Sequence, residues 1–494
     1  MNPNELVQFL KKKPEHFTSS DLINFCRLKG VQAVNFRYVA EDGKLKTLNF
    51  FISSEEYLET ILTHGERVDG SSLFSFIEAG SSDLYVIPRY RTAYLNPFTP
   101  APTLEMFCSF YNSEGLPLES DPGYILRKAD RLFTLETGFT FKALGELEYY
   151  VIAPMNHVYQ GVDQKGYHAC EPFAKYEFIR TEALHLLAKA GCCTKYGHAE
   201  VGCFSNDENY FEQHEIEFLP APVEKAAEQV ILAKWILRMI GHKYGVTISF
   251  APKITAGKAG SGMHFHMLVE KNGVNCISGN GKLTDIAKKM IAGILASADA
   301  ITAFGNTNPT SYLRLVPHQE APTNICWGDR NRSVVVRVPL GWTTAGNMMA
   351  DANPQQTEFS ANGISKQTFE FRVPDGSADI YLTLAALLSA SLSGIRRSNS
   401  LELAEKLYVN GNIFNPEFRE KLATLEQLPL SCEESAETLG RKRAVFEEGN
   451  VFPSGLINNR MAQLKAFNDK GLSEKLAGNT GEIKKLVERF IHAG

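Results

Sequence analysis

The sequence predicts an α+β protein in two parts. A small N-terminal unit combines hairpin-like strands with a helix, and a larger part mixes long helices with strands that are polar on one face. Three observations carry this. At 494 residues the chain is long enough for more than one domain. Turn residues punctuate short alternating runs before residue 112, and at least four later runs alternate charged and apolar residues with period two.

In chain order, residues 5 to 30 read as two short helices broken around Pro14. Val34, Phe36 and Tyr38 alternate, Asp42-Gly43 supplies a tight turn, and residues 45 to 52 return as a second strand. Ser53 to Glu56 fits a capping box that opens a helix. Asp83–Pro88 and Thr103–Tyr111 read as further strands. The stretch 112–123 is rich in Pro, Gly, Ser and acids, so the domains are placed at 1–115 and 120–494. Beyond it, Val223–Tyr244 and residues 283 to 303 read as long helices, and residues 384 to 392 as part of a buried one.

The polar-faced runs carry the chemistry. In Gly260-Ser-Gly-Met-His-Phe-His-Met-Leu-Val, His264 and His266 share one face of a strand, Phe265 and Met267 the other. Glu146 and Glu148 share a face of a second strand, Glu370 and Arg372 of a third, and Arg337 sits in a β-branched run. A solvated edge strand also alternates charge, but four such strands suggest one sheet with a polar, functional face and a packed face. His198-Ala199-Glu200 and Gln213-His214-Glu215 extend the set to five carboxylates with histidine. Gathered closely, these would repel and protonate unless cations neutralise them. Oxygen-rich donors with few nitrogens and no thiolate favour Mg2+ or Mn2+ over zinc.

Composition narrows the function. A formal charge of −5 argues against a nucleic-acid partner. No basic segment precedes an apolar run and no stretch reaches the roughly 18 apolar residues of a membrane helix, so neither a secretory leader nor a membrane partner is predicted. Nine scattered cysteines without such a leader read as reduced thiols in a cytoplasmic protein. A Walker A pattern is absent, because Gly257-Lys258 lacks the following Ser or Thr. Arg314, Arg330, Arg332 and Arg337 are suited to carboxylate or phosphate, and Arg332 and Arg337 beside acid-bearing strands suggest phosphoryl-transfer electrostatics.

Together, in this order, these motifs resemble glutamine synthetase of the type I, bacterial class, from about Val34 to about Tyr408. The resemblance implies a β-grasp domain ahead of a catalytic domain built on an antiparallel sheet flanked by helices. It implies hexameric rings stacked as a dodecamer, with active sites between subunits. It implies two divalent ions, Mg2+ or Mn2+, with ATP as co-substrate and L-glutamate and ammonium as substrates. Glu148, Glu200 and Glu215 match the ligands of one metal, and Glu146, His264 and Glu370 those of the other. Asp69, in Val68-Asp-Gly-Ser-Ser, matches the aspartate that binds and deprotonates ammonium in a neighbouring subunit. Glu320 matches a flap carboxylate that closes over the intermediate. Gly260, Arg314 and Arg372 match glutamate contacts, Arg332 and Arg337 phosphate contacts, and His266 a nucleotide contact.

The chain departs from that pattern at several positions. Ala259 stands where asparagine is usual, Leu268 for a serine, Thr368 for an arginine, and Pro220 for an aromatic residue that stacks on adenine. The connections 201–214 and 340–367 are enlarged, and Tyr408 occupies the place of a regulatory, adenylylated tyrosine with different residues after it. Two other readings stay open: a γ-glutamyl ligase for a larger amine such as a polyamine, and an inactive oligomeric homologue. A cupin-like metal site is disfavoured because the glycines that motif needs are missing.

Overall fold

The structure is a computed structural model that describes residues 2–75, 77, 82–279, 281–316, 321–341, 348–356, 366–476 and 478–494, the side chain of residue 349 excepted. The N-terminal unit is a β-grasp sheet of six strands: β1 Ala33–Val39, β2 Leu45–Phe51, β3 Glu66–Asp69, β4 Asp83–Pro88, β5 Tyr94–Leu95 and β6 Thr103–Tyr111. The order is β2-β1-β6-β4-β3, with β5 on β6; the β1–β6 pair is parallel and the others antiparallel. Val34, Phe36 and Tyr38 point into its core with Leu104, Met106 and Phe110. The helix Glu55–His64 is capped by Ser54, whose hydroxyl accepts the Tyr57 N–H, and not by Ser53 as the capping-box spacing suggests. The cap is the residue whose oxygen reaches an orphan N–H three positions on, which here is Ser54.

The second sheet has ten strands. Its members are β7 Thr140–Pro154, β8 Thr194–Ser205, β9 Asn209–Phe218, β10 Ala221–Pro222, β11 Thr247–Ser249, β12 Met263–Lys271 and β13 Val274–Asn275, then, after a two-stranded hairpin of β14 Ser278–Gly279 and β15 Lys282–Leu283, β16 Trp327–Asp329, β17 Val336–Val338 and β18 Phe369–Phe371. The main path runs β16-β17-β18-β12-β7-β9-β8. The expected antiparallel sheet is realised except at one edge, where β16 and β17 run parallel. The connection 201–214 is not a loop: β8 and β9 form a hairpin that turns at residues 206–208, with a register shift between Ala199 and Cys203. A bulge of this kind re-aims side chains locally, and Glu200 sits in it.

One face of this sheet is dry. Phe265, Met267, Leu147, Ile216, Phe369 and Phe371 pack against the helices Val223–Tyr244, Asp285–Gly305 and Ile380–Arg396. The last two helices touch at Gly293 and Gly394, where a Cβ on Gly293 would lie 2.1 Å from the Ala390 carbonyl oxygen. Close helix contact therefore requires glycine there. The helix Ile380–Arg396 contains the buried run expected at 384–392, and Thr284 caps the helix expected at 283–303.

Charge ties the two sheets together. Arg89 and Arg91, beside β4, bond Glu224 and Glu228 in the first turns of the helix Val223–Tyr244, and Arg127 also reaches Glu224 at 2.8 Å. Glu105, fully buried, holds Asn35 at 2.6 Å and Arg37, whose guanidinium lies 4.5 Å from the Trp235 ring of the same helix. Removing Glu224 would leave Glu228 as the one carboxylate for Arg89 and Arg91, and Asp121, at 3.7 Å, as that for Arg127. Glu224→Ala should cost about 3–5 kcal/mol, read as a lowered midpoint in urea unfolding followed by both fluorescence and circular dichroism. An unchanged midpoint would mean the network is solvated.

Candidate active site

Register builds the site. Arg337, Glu370 and His266 form one row across β17, β18 and β12, with His266 opposite Glu370 and Arg337 on its other side. His264, Glu146, Glu217 and Tyr196 form the next row, and Glu148, Glu215 and His198 the third. Period two puts all of these on the face opposite the dry core.

The rows make two acid–imidazole groups. Glu146, His266 and Glu370 bring one donor atom each within 4.8 Å of one another, as do His198, Glu200 and Glu215. His264 joins the first group, with Nδ1 3.1 Å from Glu146 and 3.3 Å from Glu370. His266, which the resemblance matches to a nucleotide contact, has its Nε2 2.8 Å from Glu146. Its Nδ1 lies 2.8 Å from the hydroxyl of Thr368, the residue that replaces the usual arginine. Glu148 accepts from the Gly262 N–H at 2.8 Å and lies 3.8 Å from His264 Nε2.

The electrostatics of the two groups differ. Burial alone would raise Glu146, but His266 and His264 hold it well below the usual carboxylate range. Burial also works against Glu370, but Arg372, 2.5 Å away, and the imidazoles keep it low. Burial and then Glu200 push Glu148 up to about 8. Burial, Glu146, Glu148 and Glu200 raise Glu215 well above its ordinary value. Carboxylates packed this way, with imidazole nitrogens and no thiolate, fit hard divalent cations.

The remaining predicted residues fall in three places. Arg314 and Arg372 line a cavity of about 290 Å³ together with Glu148, Glu200 and Gly260. A Cβ at Gly260 would lie 2.6 Å from the Pro252 oxygen, and one at Gly262 2.5 Å from His264 Nε2, so the glycine run lets the backbone pass against the site. Arg337 donates to Glu370 at 3.0 Å. Arg332 is not brought into either acid group; it lies over the Tyr167 ring and lines a separate polar cavity with Asp329 and Arg330. Asp69 caps its own turn, accepting from Ser71 N–H and from the Ser71 and Ser72 hydroxyls, and these bonds hold it down to about 2. Glu320 lies outside the described residues, as does part of 340–367. Tyr408 donates its hydroxyl to Asp329 at 3.0 Å.

Sequence reading missed two members of the polar face. Gln213 is buried and donates to Glu148 and to the Gly260 carbonyl while accepting from Gly202, which locks the bulge to the glycine run. Glu217, opposite Glu146, is held by Lys195 at 2.5 Å. The signal was present: Gln213, Glu215 and Glu217 share the period-two face of β9.

A β-grasp sheet ahead of a larger sheet that gathers carboxylates and imidazoles on one face defines a two-part α+β protein with a candidate divalent-cation site. Comparison with known proteins gives the family. Residues 30–113 match the glutamine synthetase β-grasp domain and residues 119–470 the glutamine synthetase catalytic domain. A glutamine synthetase of Mycolicibacterium smegmatis is 30% identical over 482 residues, covering 89% of this chain and 93% of its own. One from Frankia alni is 29% identical over 475 residues, with the same coverage. In fold, the chain resembles Plasmodium falciparum glutamine synthetase at TM-score 0.74 and 19% identity, over 92% of this chain and 96% of that one. It also resembles a ligand-free GmaS at TM-score 0.72 and 19% identity, over 92% and 97%. The chain belongs to the glutamine synthetase family, ligases of nitrogen metabolism. Among the described residues no helix is long and apolar enough to cross a membrane.

Glu148 provides a pH signature. Its folded value is raised from 4.5 to about 8, so the folded state holds a proton the unfolded chain has lost between those values. Stability of the metal-free protein should therefore fall as pH rises from about 4.5 to 8, and Glu148→Gln should flatten that fall. Added Mg2+ should raise the wild-type thermal midpoint most at the alkaline end and the variant's much less. Equal metal shifts in both proteins would exclude Glu148 as a ligand.

Proposed function

We propose that this protein is a type I glutamine synthetase that joins ammonia to the γ-carboxylate of L-glutamate, in the cytoplasm, at the expense of ATP. The observation that carries the reading is the pair of acid–imidazole groups on one sheet face, flanked by Arg337 and Arg372 and opening on a cavity lined by Arg314. One metal ion would be held by Glu148, Glu200 and Glu215, with His198 beside them. The other would be held by Glu146, His264 and Glu370, with His266 close enough to share that role. When bound, such ions screen the charges of carboxylate and phosphates.

The chain's own residues would do the rest. Arg314 and Arg372 would position glutamate, with the Gly260 backbone against it. Arg337, whose buried Nε has no hydrogen-bond partner among the described residues, would meet the transferring phosphoryl group, and Arg332 would support it. The γ-carboxylate oxygen attacks the terminal phosphorus of ATP, the bond to ADP breaks, and γ-glutamyl phosphate forms. Asp69 of a neighbouring subunit would take a proton from ammonium, and the ammonia displaces phosphate. Its low proton affinity suits holding a cation more than keeping the proton, so the proton would pass on to solvent. Glu320 would shield the intermediate from water. The domains would divide at 1–115 and 120–494, and the assembly would be a dodecamer of two hexameric rings. A larger amine as acceptor is favoured by one position, Ala259, which is small where the family usually has asparagine.

The test is ATP-dependent phosphate release with L-glutamate and a panel of acceptors. Ammonium should be used best, hydroxylamine should trap a hydroxamate, and Asp69→Ala should raise the ammonium KM at least tenfold while sparing hydroxamate formation. A diamine turned over far better than ammonium would assign the larger-amine activity instead.

A further inference from the structure

The segment 155–176, between β7 and the helix Glu177–Lys189, lies against the bulge of β8 and the loop that leads into β12. Two contacts tie it to that loop. Asp163 pairs with Lys258, and the Gln164 side-chain Oε1 accepts the Ala259 N–H at 2.8 Å. Gln164 Nε2 faces the Cys203 carbonyl at 3.5 Å, which sets the orientation of the amide. Gln164 therefore lines the 290 Å³ cavity with Ala259, Gly260, Glu148 and Glu200, its oxygen toward the substrate loop.

The backbone at Gln164 is unusual. Its φ is +55°, in the left-handed region that glutamine rarely adopts. The conformation is held by its N–H on the Cys203 carbonyl at 2.9 Å and by Lys165 N–H on Val162 at 3.0 Å. Glycine would fit this backbone without strain, and the side chain is kept there at a conformational cost. What that side chain adds to the cavity is one amide oxygen with two lone pairs, of which Ala259 takes one.

We propose that Gln164 is a specificity-determining residue: its Oε1 accepts a hydrogen bond from the α-ammonium group of the amino-acid substrate. This rests on the glutamate reading above and extends it. The cavity's cations, Arg314 and Arg372, suit carboxylates, while Glu148 and Glu200 belong to the metal-binding face. An α-ammonium group is a donor, and it needs an acceptor oxygen that the metal ions do not claim. Ala259 has no side-chain acceptor, and Gln164, which accepts the Ala259 N–H, supplies one beside it. Losing a hydrogen bond to a charged group weakens binding about 10- to 100-fold.

The experiment is calorimetric binding of L-glutamate and of glutarate, which lacks the α-amino group, to the full-length protein with Mg2+ and a non-hydrolysable ATP analogue. Wild type should prefer L-glutamate at least tenfold. Gln164→Gly should lose that preference while binding glutarate as wild type does, with a thermal midpoint at or above wild type. Gln164→Glu, which keeps an acceptor oxygen, should retain the preference. If Gln164→Gly keeps the preference, weakens both ligands alike, or if Gln164→Glu behaves as the glycine variant does, Gln164 does not read the α-ammonium group. The same follows if wild type binds both ligands equally. Binding of neither ligand by wild type would overturn the glutamate reading itself and this assignment with it.

Discussion

Everything in this structure follows from the difficulty of keeping several carboxylates together on a buried sheet face. Glu146, Glu148, Glu215 and Glu370 occupy adjacent rows, and the register leaves them no alternative direction. Two solutions coexist. Glu146 and Glu370 are compensated within the chain by two imidazoles and two guanidinium groups, so they stay ionised. Glu148 and Glu215 face other acids and are pushed toward the protonated form. The second half of the site leaves the larger share of its charge for cations to balance.

The fold makes this tolerable by splitting its labour. The dry face of the sheet and the helices Val223–Tyr244, Asp285–Gly305 and Ile380–Arg396 supply the apolar burial, so the polar face need not contribute stability. The helix Val223–Tyr244 also receives the arginines of the β-grasp unit. One helix thus carries both the core of the large sheet and the attachment of the small one. The glycine run 260–262 and the locked amide of Gln213 bring backbone, not bulky side chains, up to the acids.

Much of this was legible in the sequence because a strand's face is a parity rule. The pairs 146/148, 264/266 and 370/372 needed only alternation to be placed on one surface, and Val223–Tyr244 read as a long helix. What parity cannot give is pairing. The bulge that aims Glu200 depends on β9, its partner strand, and the parallel β16–β17 edge depends on the path of the short connection 330–335. Glu217 escaped notice because Glu-Ile-Glu reads equally as a solvated edge until Glu146 is known to lie opposite. Gln164 reaches the cavity from a segment with no periodic signal at all. The Asp69 turn shows the reverse case: its local bonds were readable from Asp-Gly-Ser-Ser, whereas a role in a neighbouring subunit lies outside any single chain.

The central claim is that this sheet face holds two divalent ions in the division described. The most direct measurement is anomalous scattering from crystals of the full-length protein soaked in Mn2+, in the wild type and in Glu215→Gln. The account predicts two manganese peaks in the wild type, one among Glu148, Glu200 and Glu215 and one among Glu146, His264 and Glu370, with only the first weakened in the variant. A single peak, or peaks away from these residues, would contradict it.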